Sequence, residues 1–462
     1  MRSYQGFPET KRLKTSDMSS ALNNSIFALS SAPGRAGVSV FRVSGPQAGN
    51  VLEALLCSPK PKPRQAALRK IYNEDGLLDE ALVLWMPAPK SFTGEDCAEF
   101  HIHGSLAIIE SLAEALLSQG ARQAQAGEFT RRAFENNKMD LTEAEGLADL
   151  IDAETEGQRK QALRQMQGGL KESYISWRET LLDALAQIEG EIDFPDEEDI
   201  PDELSHRAYP YLTQVMGQME KLLQDANRGE RIRAGLDIAI IGAPNSGKSS
   251  LINALAGREA AIVMDIEGTT RDIIEVQMSM GGLPIGLSDT AGLRDSEDVI
   301  EAEGVRRARV RAEESDIRIF VQDGSSDVWD MEALALLSDL DFVVINKMDL
   351  GVKTKPPALP TGSFHLSALT GEGLDNFRKA LEARVIEQFS PSQDAGLTRA
   401  RHRDCVQRAL TSVIMARENL ALAAELSGDD IRSALHALKE LSGEIDIESV
   451  FDRIFSRFCV GK

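Results

Sequence analysis

The chain has 462 residues, a length that suggests about three domains, and its 42% hydrophobic and 27% charged content is that of an ordinary soluble globular protein with material for real cores. No apolar run approaches a membrane span. A net charge of -22 excludes a protein that coats nucleic acid non-specifically, because that binding is driven by clustered Lys and Arg, so any RNA contact must be local or shared with a partner.

Residues 1–22 read as a disordered extension, with Arg2, Lys11, Arg12 and Lys14 among polar residues and no apolar stretch of signal-peptide length. Glu9 and Asp17 argue against a transit peptide, and either Met1 or Met18 suits a start. From Ile26 the pattern turns to short strands, with alternating apolar residues on both sides of Pro33-Gly34-Arg35-Ala36-Gly37, as in a hairpin. Further strands are expected at Ala81–Met86 and Ala98–His103, a helix at Ser105–Leu117 and a charged helix start at Gly127–Phe134. Residues 23–139 therefore read as an α+β domain.

From Asp140 the helical pattern runs almost unbroken to Asp193, with Leu141, Ala144, Leu147, Ala148 and Ile151 at helical spacing and Thr142 to Glu145 resembling a capping box. Gly168-Gly169 is expected to break it. The acidic run Phe194 to Asp202 reads as a solvated loop, followed by a helix at Leu204–Asn227. Amphipathic helices return at Thr398–Leu426 and Asp429–Leu441. An all-helical domain in two parts, 140–232 and 391–462, thus brackets a nucleotide domain at 233–390.

That inserted domain opens on Leu236 to Ser250, LDIAIIGAPNSGKSS. A strand-like apolar run ends at Gly242, and Gly247, Lys248 and Ser249 complete the G-x-x-x-x-G-K-S spacing before an apolar helix at Leu251–Leu255. Glycines let backbone N–H groups close around phosphate oxygens, the lysine ammonium reaches the terminal phosphates and the serine hydroxyl ligates Mg²⁺. Four signals follow in the order a GTPase requires. Gly268-Thr269-Thr270-Arg271-Asp272 precedes a strand, and Thr270 can offer its hydroxyl to Mg²⁺. Asp289-Thr290-Ala291-Gly292 ends the strand Leu283–Asp289, where the carboxylate can hold Mg²⁺ through water and the Gly292 N–H can sense the terminal phosphate. Asn346-Lys347-Met348-Asp349 follows the strand Phe342–Ile345, and Asp349 can accept from guanine N1 and N2, donors that adenine lacks. Ser367-Ala368-Leu369, after the strand Ser363–His365, can supply an N–H to guanine O6.

Leu293 stands where many GTPases place a glutamine that orients the attacking water, and leucine can do neither that nor activation. Arg294, Glu301 and a bound monovalent cation are the candidates to position water and offset phosphate charge, and Asn245 adds a carbonyl oxygen suited to such a cation. The plainer alternative is that Asn245 stabilises the loop turn and Glu301 is a surface helix residue.

From about Ser25 to Lys462 the chain resembles the bacterial and organellar tRNA uridine-modification GTPases, the MnmE or TrmE family. The resemblance rests on Ala32-Pro33-Gly34-Arg35-Ala36-Gly37-Val38, Ser91-Phe92-Thr93-Gly94-Glu95-Asp96, Ala126-Gly127-Glu128-Phe129-Thr130, Lys138-Met139-Asp140-Leu141, the GTPase set and Phe458-Cys459-Val460-Gly461-Lys462. It implies an N-terminal α+β domain that dimerises and binds 5,10-methylene- or 5-formyl-tetrahydrofolate through Arg42, Glu99, Lys138 and Lys462; read from the residues alone, ordinary surface charge is the preferred account of them. It implies a Ras-like α/β P-loop domain in which Asn245, Met264, Ile266 and Thr269 bind K⁺ and Ser249 and Thr270 bind Mg²⁺. The GTP contacts carried onto this chain are Asn245, Ser246, Gly247, Lys248, Ser249, Ser250, Met264, Asp265, Ile266, Gly268, Thr269, Thr270, Asp289, Thr290, Ala291, Gly292, Asn346, Lys347, Asp349, Ser367, Ala368 and Leu369. Glu301 matches the family's candidate acid or base, beside Asn245, Arg294 and Cys459 as catalytic candidates. The implied function is K⁺-dependent GTP hydrolysis that, in a heterotetramer with an FAD- and NADH-dependent partner, serves C5 modification of the wobble uridine of certain tRNAs. The rival is a regulatory GTP switch in ribosome or complex assembly.

Cys57, Cys97, Cys405 and Cys459 show no paired spacing, which points to a reducing compartment, here the cytoplasm, and to neither a disulfide framework nor a zinc site. Cys459 stands at a lipidation spacing, but Gly461 and Lys462 do not suit it, which leaves a packed small hydrophobe or a role at the folate site implied by the family terminus. The basic clusters Arg306 to Arg311 and Arg399 to Arg403 read as solvated helix faces or as contacts to tRNA or a partner.

Overall fold

A computed structural model describes residues 25–193, 204–257, 275–289, 310–353, 357, 362–389, 396–420, 422–445, 454–456, 458 and 461. The acidic run expected at 194–202 lies outside them. They divide into two compact units, with the boundaries between Glu145 and Gly146 and between Leu441 and Ser442.

The first unit is built on a six-stranded sheet of order β3-β4-β5-β2-β1-β6. Its strands are β1 (Ile26–Leu29), β2 (Ala36–Ser44), β3 (Ala67–Asn73), β4 (Gly76–Met86), β5 (Cys97–Gly104) and β6 (Arg122–Gln123). All pairs are antiparallel except β1 with β6. Period-two alternation assigns the faces: along β5, Ala98, Phe100 and Ile102 are buried while Glu99, His101 and His103 are on the other side. The buried face packs with α1 (Ala48–Leu56) and α2 (Leu106–Ser118) around Phe41, Leu52, Val83, Phe100 and Leu112.

Two elements here differ from expectation. β3 was not foreseen, and β4 begins at Gly76 rather than Ala81, because Asp79 and Glu80 interrupt the apolar alternation. The strand tolerates Asp79 because its carboxylate accepts from the His103 backbone N–H and pairs with His103 Nδ1, both at 2.8 Å. α1, at 9 residues, is shorter than periodicity resolves. After α3 (Glu128–Glu135), α4 (Leu141–Ile151) starts two residues earlier than the Thr142–Glu145 capping pattern suggested. Asp140 caps it: its carboxylate accepts from Glu143 N at 2.9 Å, and Glu143 reaches back to Asp140 N at 2.7 Å, which leaves Thr142 inside the helix.

The helical run expected to break in two at Gly168-Gly169 is three helices: α4 ends at Ile151, α5 (Glu156–Met166) starts on a Thr155–Gln158 capping box, and α6 (Gly169–Asp193) follows the expected break at Gly168. The helix expected at Leu204–Asn227 is also divided, into a 3-10 turn Leu204–Ala208, α7 (Tyr209–Gln224) and α8 (Ala226–Ala234). Pro210 lies in the first turn of α7, where a missing N–H costs nothing, so the α-helix begins there.

The nucleotide domain carries a second six-stranded sheet, of order β12-β11-β10-β7-β9-β8. In chain order it runs β7 (Leu236–Ile241), α9 (Lys248–Ala256), β8 (Glu275–Met280), β9 (Leu283–Asp289), β10 (Ile317–Asp323), β11 (Phe342–Asn346), β12 (Ser363–His365) and α10 (Leu374–Phe389). Every pair is parallel except β8 with β9. Parallel strands are covered on both faces, and β11 is accordingly buried at every residue. The chain then returns to the helical bundle with α11 (Ala400–Asn419) and α12 (Ala424–Ser442). Tyr174, Leu181, Leu212, Val406, Leu410 and Leu438 share one core, so the bundle is made from segments on both sides of the inserted domain. Gly428, expected between two helices, lies within α12, where a Cβ would just touch Ile188 and Leu185 of α6 at 3.7 and 3.8 Å. Among the described residues no helix is long and apolar enough to cross a membrane.

Candidate active site

β7, β9, β10, β11 and β12 run parallel, so the loops after them gather at one edge of the sheet, where open α/β folds bind ligands. β7 lies between β9 and β10, the point at which the chain changes direction across the sheet. Its loop is shaped by two glycines. Gly242 has φ 136°, and a Cβ there would stand 2.3 Å from the Val321 carbonyl oxygen. Gly247 has φ 96°, and a Cβ would stand 2.2 Å from Asn346 Nδ2. Between them Asn245 also takes the left-handed conformation, φ 59°, which asparagine tolerates better than most residues.

The loop and the base-recognition segments interlock through side chains. Asn346 Nδ2 donates to the Ser246 carbonyl at 3.1 Å, and its Oδ1 accepts from Ala368 N at 2.9 Å. Lys347 Nζ donates to the Asn245 carbonyl at 2.6 Å and to Asp323 Oδ2 at 2.7 Å. Ser367 Oγ donates to Asp349 Oδ1 at 2.5 Å, which orients that carboxylate. Of Ser367-Ala368-Leu369, the segment expected to offer an N–H to guanine O6, Ala368 N is thus engaged by Asn346 and Ser367 N donates to the Glu372 carbonyl at 2.9 Å. Leu369 is 86% exposed at the rim of the same loop, and Ser250 is exposed in the first turn of α9.

Lys248 is buried, and its ammonium donates to the Gly242 and Ala243 carbonyls at 2.9 Å each. Ser249 Oγ donates to Asp289 Oδ2 at 2.6 Å, which puts a hydroxyl and a carboxylate oxygen together in the donor set that suits Mg²⁺. Ser246 Oγ is buried without a hydrogen-bond partner among the described residues, a polar atom free to meet a phosphate. The Asn245 side chain is exposed and makes no hydrogen bond among the described residues, so its carboxamide can serve a cation. Met264, Asp265, Ile266, Gly268, Thr269, Thr270, Thr290, Ala291, Gly292, Arg294, Glu301, Cys459 and Lys462 lie outside the described residues.

Asp323 was missed from sequence. Burial raises its pKa, but hydrogen bonds from Lys347 and Ser325 outweigh that and leave it below the usual carboxylate range. Its signal was a carboxylate ending a buried strand beside the other site loops.

In the first unit Arg42 and Glu99 are cross-strand partners and form an ion pair at 2.9 Å. The Arg42 guanidinium lies 5.1 Å from the Phe92 ring centre and 5.9 Å from that of Phe129. Lys138 Nζ donates to the Pro89 carbonyl at 3.1 Å. Gly461 has φ 111° and sits against β1, where a Cβ would stand 2.4 Å from the Leu29 carbonyl oxygen. Leu29 pairs with Phe41, the neighbour of Arg42.

Residues 25–138 match the model of the GTP-binding protein TrmE N-terminus, and residues 141–459 match that of the MnmE helical domain. The chain is 53% identical to the tRNA modification GTPase MnmE of Maricaulis maris (strain MCS10) over 96% of this chain and 100% of that one. It belongs to the MnmE family. Similar relatives of the same description are those of Parvibaculum lavamentivorans, 49% identical over 95% of this chain and 99% of that one, and Hyphomonas neptunium, 46% identical over 96% and 100%. Among solved structures, the FeoB G domain of Methanococcus jannaschii aligns with 32% of this chain and 97% of its own at 24% identity and a TM-score of 0.25, a likeness too slight to bear on the fold. The MnmE family's two matched regions meet at 138–141, beside the boundary at Glu145 between the compact units.

Proposed function

We propose that this protein hydrolyses GTP to GDP and phosphate with Mg²⁺ and K⁺ and takes part in modifying C5 of the wobble uridine of certain tRNAs in the cytoplasm. The observation that carries the GTPase part is the interlock of three motifs: Asn346 on Ser246, Lys347 on Asn245 and Ser249 on Asp289. A nucleotide that fills this loop meets a phosphate cradle, a metal-suited oxygen pair and a guanine-selective carboxylate at once. Asp349, held by Ser367, accepts the guanine donors; Lys248 neutralises phosphate charge; Ser249, Asp289 and Thr270 would hold Mg²⁺. Asn245, with Met264, Ile266 and Thr269, would hold K⁺, which would supply positive charge to the phosphates where Leu293 leaves no glutamine. Glu301 and Arg294 are the proposed groups for the attacking water.

The folate part rests on Arg42, Glu99 and Lys138, with Lys462 joined through the chain to Gly461. The Arg42–Glu99 pair offers both a donor and an acceptor to a pterin or its glutamate tail, and Phe92 and Phe129 offer ring faces beside it. When bound, tetrahydrofolate would supply the one-carbon unit, and Cys459 is the proposed reactive group. A homodimer through the α+β domain is supported by the sheet's uncovered face, where Val38, Leu68 and Leu82 are 56%, 58% and 46% exposed. In this reading 23–139 is the folate domain, 140–232 with 391–462 the helical domain and 233–390 the GTPase domain, and an FAD- and NADH-dependent protein completes a heterotetramer.

The test combines GTP hydrolysis in K⁺ and in Na⁺, tetrahydrofolate binding to the purified protein, and wobble-nucleoside analysis of tRNA from a deletion strain. Faster hydrolysis in K⁺, folate binding and loss of the modified nucleoside are expected. Normal nucleosides with no folate bound would instead leave a GTP switch without a part in modification.

A further inference from the structure

Lys347 does two things in this fold. Its Nζ ties to the main-chain carbonyl of Asn245, 2.6 Å away, and to Asp323 Oδ2, 2.7 Å away, at the end of β10. Asp323 is itself fixed: its Oδ1 accepts from Ser325 N at 2.9 Å and from Ser325 Oγ at 2.7 Å. The turn that follows is seated on the base loop, since Gly324 N donates to the Asn346 carbonyl at 2.8 Å. Both Lys347 and Asn245 occupy the left-handed region, with φ 64° and 59°, conformations that non-glycine residues keep only when their surroundings hold them. The Asn245 carbonyl is held by Lys347, while its carboxamide is exposed.

We propose that Asp323 is a positioning residue that couples guanine recognition to monovalent-cation binding: it fixes Lys347, and Lys347 fixes the Asn245 main chain and so the direction of its carboxamide. The inference rests on the K⁺ reading above. A lysine stem is flexible and its ammonium can turn three donors in many directions, so without a fixed acceptor it would not hold a strained loop residue in one place. Asp323 supplies that acceptor. A guanine base packed against the base loop then stabilises the same lysine position that presents the cation ligand, and coupling of this kind must be reciprocal. The plainer reading is an ion pair that serves guanine binding alone. The two differ in what they do to the cation.

The experiment measures hydrolysis against K⁺ concentration at saturating GTP and Mg²⁺ for the wild-type chain, Asp323→Ala and Asp323→Asn. It also measures affinity for a non-hydrolysable GTP analogue in K⁺ and in Na⁺. Asp323→Ala is expected to raise half-saturating K⁺ about tenfold, the loss of roughly one charge-assisted contact, while the rate at saturating K⁺ falls far less. Asp323→Asn, which keeps an acceptor oxygen, should recover part of the shift and serves if the alanine variant does not fold. The wild type should bind the analogue more tightly in K⁺ than in Na⁺, and Asp323→Ala should lose most of that difference. Weaker analogue binding with an unchanged half-saturating K⁺ would overturn the coupling and leave Asp323 serving guanine only. A wild-type rate that does not respond to K⁺ removes the cation reading itself, and this inference with it.

Discussion

The Ser30 hydroxyl donates a hydrogen bond of 3.0 Å to the Gly461 carbonyl, across 431 positions of sequence. The same segment is packed by rings: Phe458 lies 6.0 Å from Phe455, and Phe455 lies 6.3 Å from Phe134. Gly461 thereby sits at the end of β1, against Leu29, whose cross-strand partner Phe41 is the neighbour of Arg42.

That seat has no room for a side chain. Gly461→Ala puts a Cβ 2.4 Å from the Leu29 carbonyl oxygen at φ 111°, so the segment must lift or carry about 1–3 kcal/mol of strain. Tetrahydrofolate affinity measured by titration calorimetry should fall about tenfold or more, with GTP hydrolysis within about twofold of wild type. Unchanged folate affinity would separate this segment from the folate site.

Gly247 presents the same constraint at the phosphate loop. Its Cβ would meet Asn346 Nδ2 at 2.2 Å, the group that donates to the Ser246 carbonyl, at φ 96°. Gly247→Ala should weaken GDP binding by more than about 100-fold, roughly 2.7 kcal/mol, by breaking that bond and straining the turn. Gly217 is the control: it lies in α7 with nothing within 4 Å of a Cβ, so Gly217→Ala should leave GDP binding intact and raise stability by about 0.5–1 kcal/mol. Equal GDP affinity in the two variants would show that the loop adapts.

The nucleotide site was legible because its chemistry is local in sequence. Gly242 to Ser249 encodes both the strand-to-helix turn and its ligand groups, and β9, β11 and β12 appear where apolar runs end in Asp289, Asn346 and His365. What escaped notice depends on pairings between distant residues. Asp323 carries no motif, and its role comes from a lysine that reaches it across the sheet edge. β3 and the start of β4 escaped because Asp79 looks like a strand breaker until His103 is known to face it. Helix limits failed for a further reason: a glycine such as Gly428 can permit close packing instead of ending a helix, and Pro210 can begin one.

A buried polar network in the first unit predicts how that unit responds to acid. Glu128, at the start of α3, accepts from Arg122 Nη1 at 2.8 Å, from Arg132 Nη2 at 3.0 Å and from Gln125 N at 2.9 Å. Arg132 is 1% exposed, and it also pairs with Glu95 at 3.0 Å. Burial alone would raise the Glu128 pKa, but the Arg122 and Gln125 hydrogen bonds, with the charges of Arg122 and Arg132, hold it below its ordinary 4.5. A carboxyl whose folded pKa is depressed adds stability above its unfolded pKa, and that stability is lost as pH falls through the folded value. The first unit should therefore lose stability from about pH 4.5 downward, whereas Glu128→Gln should be destabilised by about 2–3 kcal/mol at pH 7 and show a flatter acid limb. Urea unfolding followed through the fluorescence of Trp85, in β4 of this unit, measures both at a series of pH values. Parallel acid limbs for the two proteins would assign the acid response to other carboxylates.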